Sequence, residues 1–343
     1  MQQELSPKSQ PVQFEGKGNE YFKIWLVNIA LTILTLGIYS AWAKVRNKRY
    51  FYGSTKIQDQ AFEYHATGKQ IFLSRMIAVV VFIAYNIIGS VSVILAILLP
   101  LCFLGFLPWL LNAGLRFNAR MSSWRNVRFN FNGSYGRAVM VFCVWPFIAL
   151  ITFGILLPKA IYKAAEYIVS AHSYGDEPFK FTAIPKDYAR VIYGFIIVLI
   201  VLVLFVLLCI SSVNGDGSDY AAMVLPALIG AIYIFYFFAG VLIRAMLFNI
   251  YWRHVELKGN RFTASLNPAR FLWVFISNSI MVGLSLGLLI PWSKVRMARL
   301  KANALTVIEV NSFARIQAEQ QEKISALGEE MGEVFDVDVG FGV

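Results

Sequence analysis

The sequence predicts an all-α multi-pass membrane protein with internal repeats and small cytoplasmic β-hairpins between its membrane segments. Three observations carry this. Hydrophobic residues make up 58% of the chain and charged residues only 15%, where soluble domains carry roughly 25% charge. The mean hydropathy is +0.60, and the apolar residues gather in runs near the roughly 20 residues a helix needs to cross a ~30 Å hydrocarbon core. Finally, the chain repeats itself.

Taken in order, residues 1–20 are polar and contain no apolar leader core, so the membrane segments themselves are expected to direct insertion. Seven apolar segments follow, at about Phe22–Trp42, Met76–Leu95, Ile97–Leu115, Ala138–Leu157, Val191–Ile210, Met223–Ile243 and Phe271–Trp292. The uncharged stretch Met76–Leu115 is about two spans long and reads as two helices turning near Leu95–Pro100. Val191–Ile210 and Met223–Ile243 form a second pair, joined by Ser211–Tyr220 with its Gly, Asn and Asp turn residues.

The repeat is explicit. Thr35-Leu-Gly-Ile-Tyr-Ser-Ala-Trp-Ala-Lys-Val-Arg46 returns as Ser285-Leu-Gly-Leu-Leu-Ile-Pro-Trp-Ser-Lys-Val-Arg296, with a degraded copy at Thr152-Phe-Gly-Ile-Leu-Leu-Pro-Lys-Ala-Ile-Tyr-Lys163. Asn28 and Asn278 precede the two better copies at equal spacing. Trp124-Arg-Asn-Val127 matches Trp252-Arg-His-Val255, and Arg116 and Arg244 keep the same spacing. These matches divide the chain into an N-terminal strand segment (1–20), units at 21–128 and 129–256, a partial unit at 257–310 and an acidic tail at 311–343.

Short polar stretches between the segments alternate with period two about a turn. Ile57–Tyr64, Tyr174–Phe181 and Leu257–Ala264 read as β-hairpins against one membrane face, and Val12–Gly16 and Phe129–Gly133 as single strands. Irregular loops are the plainer alternative.

Charge and spacing disagree on topology. Seven full spans would scatter Lys and Arg over both sides with a slight excess on one, a poor fit to chains oriented by those residues. If only the two helix pairs cross, the segments Phe22–Trp42, Ala138–Leu157 and Phe271–Trp292 return to the side they left, and all 31 Lys and Arg lie on the cytoplasmic side. The cost is a broken helix inside the membrane, whose backbone must be satisfied by burial against protein. Inverted repeats would favour a transporter, parallel repeats a scaffold.

Candidate lipid or interface contacts are Trp42, Lys44, Arg46, Trp124, Arg125, Trp252, Arg253, Trp292, Lys294 and Arg296, where indoles would sit at headgroup level and cations would meet phosphates. The plain reading is an interfacial anchor, the sharper one an anionic-lipid site. Asn28, Thr35 and Asn278, with Thr32, Asn86, Ser277 and Ser279, are candidate intramembrane polar residues. Interhelical hydrogen bonding is their bland role. His65, His172 and His254 lack ligand-spaced partners in sequence, and Cys102, Cys143 and Cys209 lie in apolar runs. No metal, cofactor, nucleophile or nucleotide motif is expected, and the +11 charge comes without a nucleic-acid recognition module. Phe313–Gly332 reads as an amphipathic helix in an acidic tail, which would dock on the basic flanks, join a homo-oligomer or recruit a partner protein.

Thr35–Arg46, Phe62-Glu-Tyr64 with Thr67-Gly68, and Gly332-Glu-Val-Phe-Asp-Val-Asp338 together resemble the YjgN-like family of bacterial inner-membrane proteins. That resemblance implies a multi-pass inner-membrane protein and carries no catalytic residue. The leading functional expectation is a non-enzymatic transporter or channel-like conduit for a small solute or lipid. The alternative is a non-transporting scaffold that binds anionic lipid or a partner protein.

Overall fold

A computed structural model describes residues 8–211, 217–311 and 313. The chain is built from five successive units, each a strand, a helical hairpin and a second strand. Unit one comprises β1 (Lys8–Phe14), α1 (Gly18–Leu34), α2 (Ser40–Gly53) and β2 (Thr55–Ile57). Unit two comprises β3 (Gln60–Tyr64), α3 (Gly68–Val91), α4 (Val93–Arg120) and β4 (Ser122–Trp124). Unit three has β5 (Val127–Phe131), then α5 (Tyr135–Val139) running through a π-helical stretch, Met140–Val144, into α6 (Trp145–Ile151), then α7 (Leu157–Ala171) and β6 (His172–Tyr174). Unit four contains β7 (Glu177–Phe181), α8 (Pro185–Ser211), α9 (Gly217–Arg253) and β8 (Val255–Leu257). Unit five contains β9 (Asn260–Ala264), α10 (Pro268–Leu284), α11 (Ile290–Asn303) and β10 (Leu305–Glu309).

The ten strands close into one antiparallel barrel, which corrects the all-α expectation. The hairpins read from sequence are present, but they are staves of a ring and not separate ornaments. Two-residue turns join one unit to the next, pairing Ile57 with Gln60, Trp124 with Val127, Tyr174 with Glu177 and Leu257 with Asn260. Three of these turns place both central residues at positive φ, as at Gln58 and Asp59 (52° and 60°), the geometry that matches strand twist. The remaining pairings reach across a helical hairpin or from one end of the barrel sequence to the other. β1 lies on β10 with Lys8 opposite Glu309, so a non-covalent seam stands where a fifth turn would be.

Alternate strand residues fill the barrel. Val12, Phe14, Ile57, Trp124, Tyr174, Leu257 and Val307 form its buried core, with Phe62, Phe129, Phe179 and Phe262 against them. Phe313 closes the cluster edge-on to Trp124, at 5.1 Å between centroids. Asn260 holds the chain that delivers it, accepting from the backbone N–H of Val310 and of Asn311, each at 2.8 Å. These aromatic and aliphatic side chains surround a central cavity of about 140 Å³.

The helices form a second ring. Within each unit the two helices pack together, and the second helix of each packs on the first of the next: α2 on α3, α4 on α5, α7 on α8, α9 on α10 and α11 on α1. Arginines six residues before a strand tie these seams. Arg49 donates to the carbonyls of Tyr64 and Ala66, Arg116 to those of Phe131 and Gly133, and Arg299 to that of Gly16. These carbonyls end a strand and have no ladder partner, so the guanidinium satisfies groups that would otherwise be orphaned.

Four helices are long and apolar enough to cross a membrane, over Gly68–Ser90, Leu98–Arg120, Pro185–Leu208 and Pro226–Arg253. They are the two helix pairs read from sequence. The other three apolar segments are each broken in the middle, and both their ends return to the barrel. The boundaries drawn at 128/129 and 256/257 fall inside β5 and β8. Of the expected tail helix, only Phe313 lies within the described residues, and the turn at 212–216 lies outside them.

Candidate membrane interface

The three broken segments share one turn, built by the recurring motif. At Thr35–Tyr39, Thr152–Leu156 and Ser285–Leu289 the second residue has φ near 50° (Leu36 49°, Phe153 50°, Leu286 50°) and the glycine after it φ of 93°, 84° and 92°. The glycine is there because side chains rarely tolerate that backbone. The Gly37 N–H donates to Thr32 O, Gly154 to Ala149 O and Gly287 to Val282 O, at 2.7, 2.7 and 2.8 Å.

The hydroxyl at the head of each motif completes the turn. Thr35 Oγ1 donates to Leu31 O and accepts from the Tyr39 N–H. Thr152 does the same with Ile148 O and the Leu156 N–H. Ser285 repeats it with Val282 O and the Leu289 N–H. With these bonds, every backbone N–H from residue 35 to 40, 152 to 157 and 285 to 290 has a partner inside its own turn.

The side chains at the tips are apolar and almost entirely uncovered by protein: Leu36 is 95% exposed, Phe153 97% and Leu286 95%. An exposed apolar tip whose turn N–H groups are bonded internally suits hydrocarbon, where water is absent and an unbonded polar group is costly. Thr35, read as an intramembrane polar candidate, is the cap of this turn.

The other candidates divide into several groups. Asn28 and Arg46 come together, with Nη1 of Arg46 donating to Asn28 Oδ1 at 3.4 Å, and Asn28 donating to Asn47 Oδ1 at 3.1 Å. Asn278 and Arg296 repeat the pair at 3.2 Å, with Ser277 Oγ accepting from the same nitrogen at 2.8 Å. Both asparagines are buried, so these contacts lock the two helices of a hairpin together. Thr32 and Ser279 bond back to carbonyls four residues earlier, and so does Asn86. Lys44 and Lys294 remain exposed.

Trp42 and Trp292 are seam residues. A Cβ on Gly68 would come within 2.3 Å of the Trp42 ring, and one on Gly18 within 2.2 Å of Trp292. Trp292 also donates to Asn19 Oδ1 at 3.0 Å. Each indole therefore lies over the first turn of the next unit's helix. In the middle copy Lys159 takes this place and sits 4.8 Å from the Trp145 ring.

Trp124 and Arg125 do not meet lipid headgroups from the helix side. Trp124 is buried in the barrel and donates to Gln60 O at 3.1 Å, and Arg125 occupies the β4–β5 turn over its ring. Trp252 lies at the end of α9 beside Phe262, and Arg253 donates to Ala264 O at 2.7 Å. The Trp-Arg-x-Val match therefore joins a strand end to a helix end and is not a structural equivalence.

Two histidines do have carboxylate neighbours in space: His65 lies 3.4 Å from Glu63 and His254 3.9 Å from Asp187. His172 is held on Ile168 O, and burial lowers its pKa below the usual imidazole range, against the smaller upward pull of that hydrogen bond. Among the described residues no cluster of three His, Cys, Asp or Glu could hold a metal ion.

Fold and tips together define a membrane protein in which helical hairpins of two depths rise from a single β-barrel base. The chain belongs to the family described as bacterial protein of unknown function (DUF898), whose model matches residues 9–334. It is similar to the inner membrane protein YjgN of Salmonella typhimurium strain LT2, 26% identical over 332 residues, covering 82% of this chain and 84% of that protein. It is also similar to inner membrane protein YjgN of Escherichia coli O157:H7 and of strain K12, 40% and 39% identical over 134 residues. Those two matches cover 38% of this chain and 33% of each relative. No solved structure matches the chain.

Proposed function

We propose that this chain is a non-enzymatic scaffold of the bacterial inner membrane that organises the lipid leaflet facing its barrel. The observation that carries the reading is the set of three self-bonded apolar tips, all borne on hairpins that leave from and return to the same barrel. Two long hairpins anchor the protein across the bilayer, and the three shorter ones act as wedges in one leaflet. A 17-residue helix such as α1 or α10 rises about 25 Å. Its first turns lie against the barrel, which leaves the tip within the hydrocarbon and short of the far surface. The basic flanks gather on the barrel side, which the positive-inside tendency makes cytoplasmic. This reading takes precedence over a conduit because the barrel interior offers only a cavity of about 140 Å³ lined by aromatic and aliphatic side chains such as Trp124, Tyr174 and Phe129, a poor path for a polar solute.

Single cysteines at Leu36, Phe153 and Leu286, in a chain whose own three cysteines are replaced, test it. Impermeant maleimide is expected to reach none of them from either side of the membrane, while Ser9→Cys labels from the cytoplasm alone. Labelling of a tip from the periplasmic side would overturn the half-depth wedge. Solute flux in proteoliposomes above that of protein-free vesicles would overturn the scaffold in favour of a conduit.

A further inference from the structure

Unit five carries a pocket lined by three arginines. Between the base of α10 and the facing side of α11 lies a cavity of about 280 Å³ lined by Arg270, Arg296 and Arg299, with Asn267, Asn303 and Trp273. Three guanidiniums share this cavity, and among the described residues no carboxylate lines it. Arg296 is oriented by Ser277 and Asn278 through Nη1, and Arg299 by Gly16 O through Nη2. Each guanidinium has five N–H donors, so both retain Nε and a second Nη for a ligand. Arg270 is exposed, and its guanidinium makes no hydrogen bond or ion pair among the described residues.

The repeat supplies an internal comparison. In unit one Glu20 stands where unit five has Arg270, and it pairs with Lys17 at 3.6 Å. In unit three Glu166 stands where Arg299 would be, and Lys163, at the position of Arg296, pairs with it at 2.7 Å. Units one and three thus each carry a carboxylate where unit five has an arginine. Of these three units, unit five is the one with arginine at all three positions.

We propose that Arg270, Arg296 and Arg299 form a binding site for the phosphate of an anionic phospholipid. The proposal rests on the scaffold reading above and names its lipid contact. Fixed guanidinium forks match phosphate oxygens in charge and geometry. The site lies at the base of a hairpin whose tip points into lipid, which puts it at headgroup level. Beside the arginines Trp273 is 66% exposed, an indole placed where acyl chains begin. A free phosphate would satisfy the same arginines but would have no use for that indole.

Native mass spectrometry of the full chain, titrated with phosphatidylglycerol or phosphatidylcholine, tests the site. Wild type is expected to retain phosphatidylglycerol preferentially, and Arg270→Gln to weaken that retention about tenfold, in the range of one charge-assisted hydrogen bond. Arg128→Gln, on the barrel, controls for net charge. Glu20→Arg is expected to add a second, weaker bound lipid by removing the internal anion of unit one. Equal retention by wild type and Arg270→Gln would overturn the site, as would equal loss in Arg128→Gln. Displacement by millimolar inorganic phosphate, without preference between the two lipids, would overturn the lipid source. Maleimide protection of Leu286→Cys reports hairpin insertion separately, so loss of the lipid site and failure of the wedge are distinguishable.

Discussion

The smallest decisive feature of this protein is a hydroxyl. Thr35, Thr152 and Ser285 each accept the one N–H that the helix–turn–helix geometry would leave free, from Tyr39, Leu156 and Leu289. In water that N–H would find a solvent partner at little cost. In hydrocarbon it would not. Thr35→Val keeps the shape and removes the acceptor, so it is expected to destabilise the folded protein by about 1–3 kcal/mol, the cost of an unsatisfied buried donor. Thermal unfolding in lipid nanodiscs would measure it, and an unchanged midpoint would mean that water reaches the tip. Thr152→Val and Ser285→Ala are expected to behave alike, since the same bonds recur in all three turns.

At the scale of the element, the helix ring is sealed by close approach of backbone to indole. Gly18 and Gly68 open α1 and α3 at positions where any side chain would overlap Trp292 or Trp42. Gly18→Val is expected to cost about 1–3 kcal/mol through overpacking. The double variant Gly18→Val/Trp292→Ala is expected to lose less than the sum of its parts, because the two changes share one contact. Additive losses in a double-mutant cycle would show that the indole does not form the seam. The arginine ties at Arg49, Arg116 and Arg299 belong to the same seams, and unit three replaces them with the Tyr162–Glu166–Lys163 cluster.

For the whole molecule, the barrel decides sidedness. Every helical hairpin must start and finish on the barrel, so none can exchange one membrane face for the other between its two strands. The ring is open only at β1 and β10, where Lys8 faces Glu309 as Ile57 faces Gln60 across a two-residue turn. Joining Glu309 to Lys8 through Asn-Gly, with new termini between Arg125 and Asn126, is therefore expected to preserve the fold. Circular dichroism and protease resistance would check it against a linear chain ending at Glu309. That control removes the same tail, including Phe313. A linear chain that folds beside a permutant that does not would exclude a ring of equivalent staves.

Much of the local structure was legible in the sequence because its causes are local. Turn pairs such as Gln58-Asp59 announce hairpins, and long uncharged runs announce the four helices long and apolar enough to cross a membrane. The placement of all 31 Lys and Arg already favoured segments that return to the side they left. The site residues were less legible. Asn28 and Arg46 were each marked, as were Asn278 and Arg296, but not that each asparagine contacts its arginine. Arg270, Arg299 and Trp273 were missed, and the available signal was Glu20 standing opposite Arg270 in otherwise matching repeats. Trp124 and Trp252 were grouped by a four-residue match that spans different elements.

By itself, then, the sequence determined the membrane class, the repeat and the two pairs of long apolar helices, since periodicity and hydropathy act over a few residues; it left open whether the three other segments cross or turn back. Only the tertiary structure decided that the short strands form one closed barrel. Six of its ten strand pairings reach across a helical hairpin or between the chain's two ends, and strands of three to seven residues carry too little pattern to name such distant partners. The same closure decided which face each hairpin returns to, and the packing of α10 on α11 gathered three arginines into one pocket.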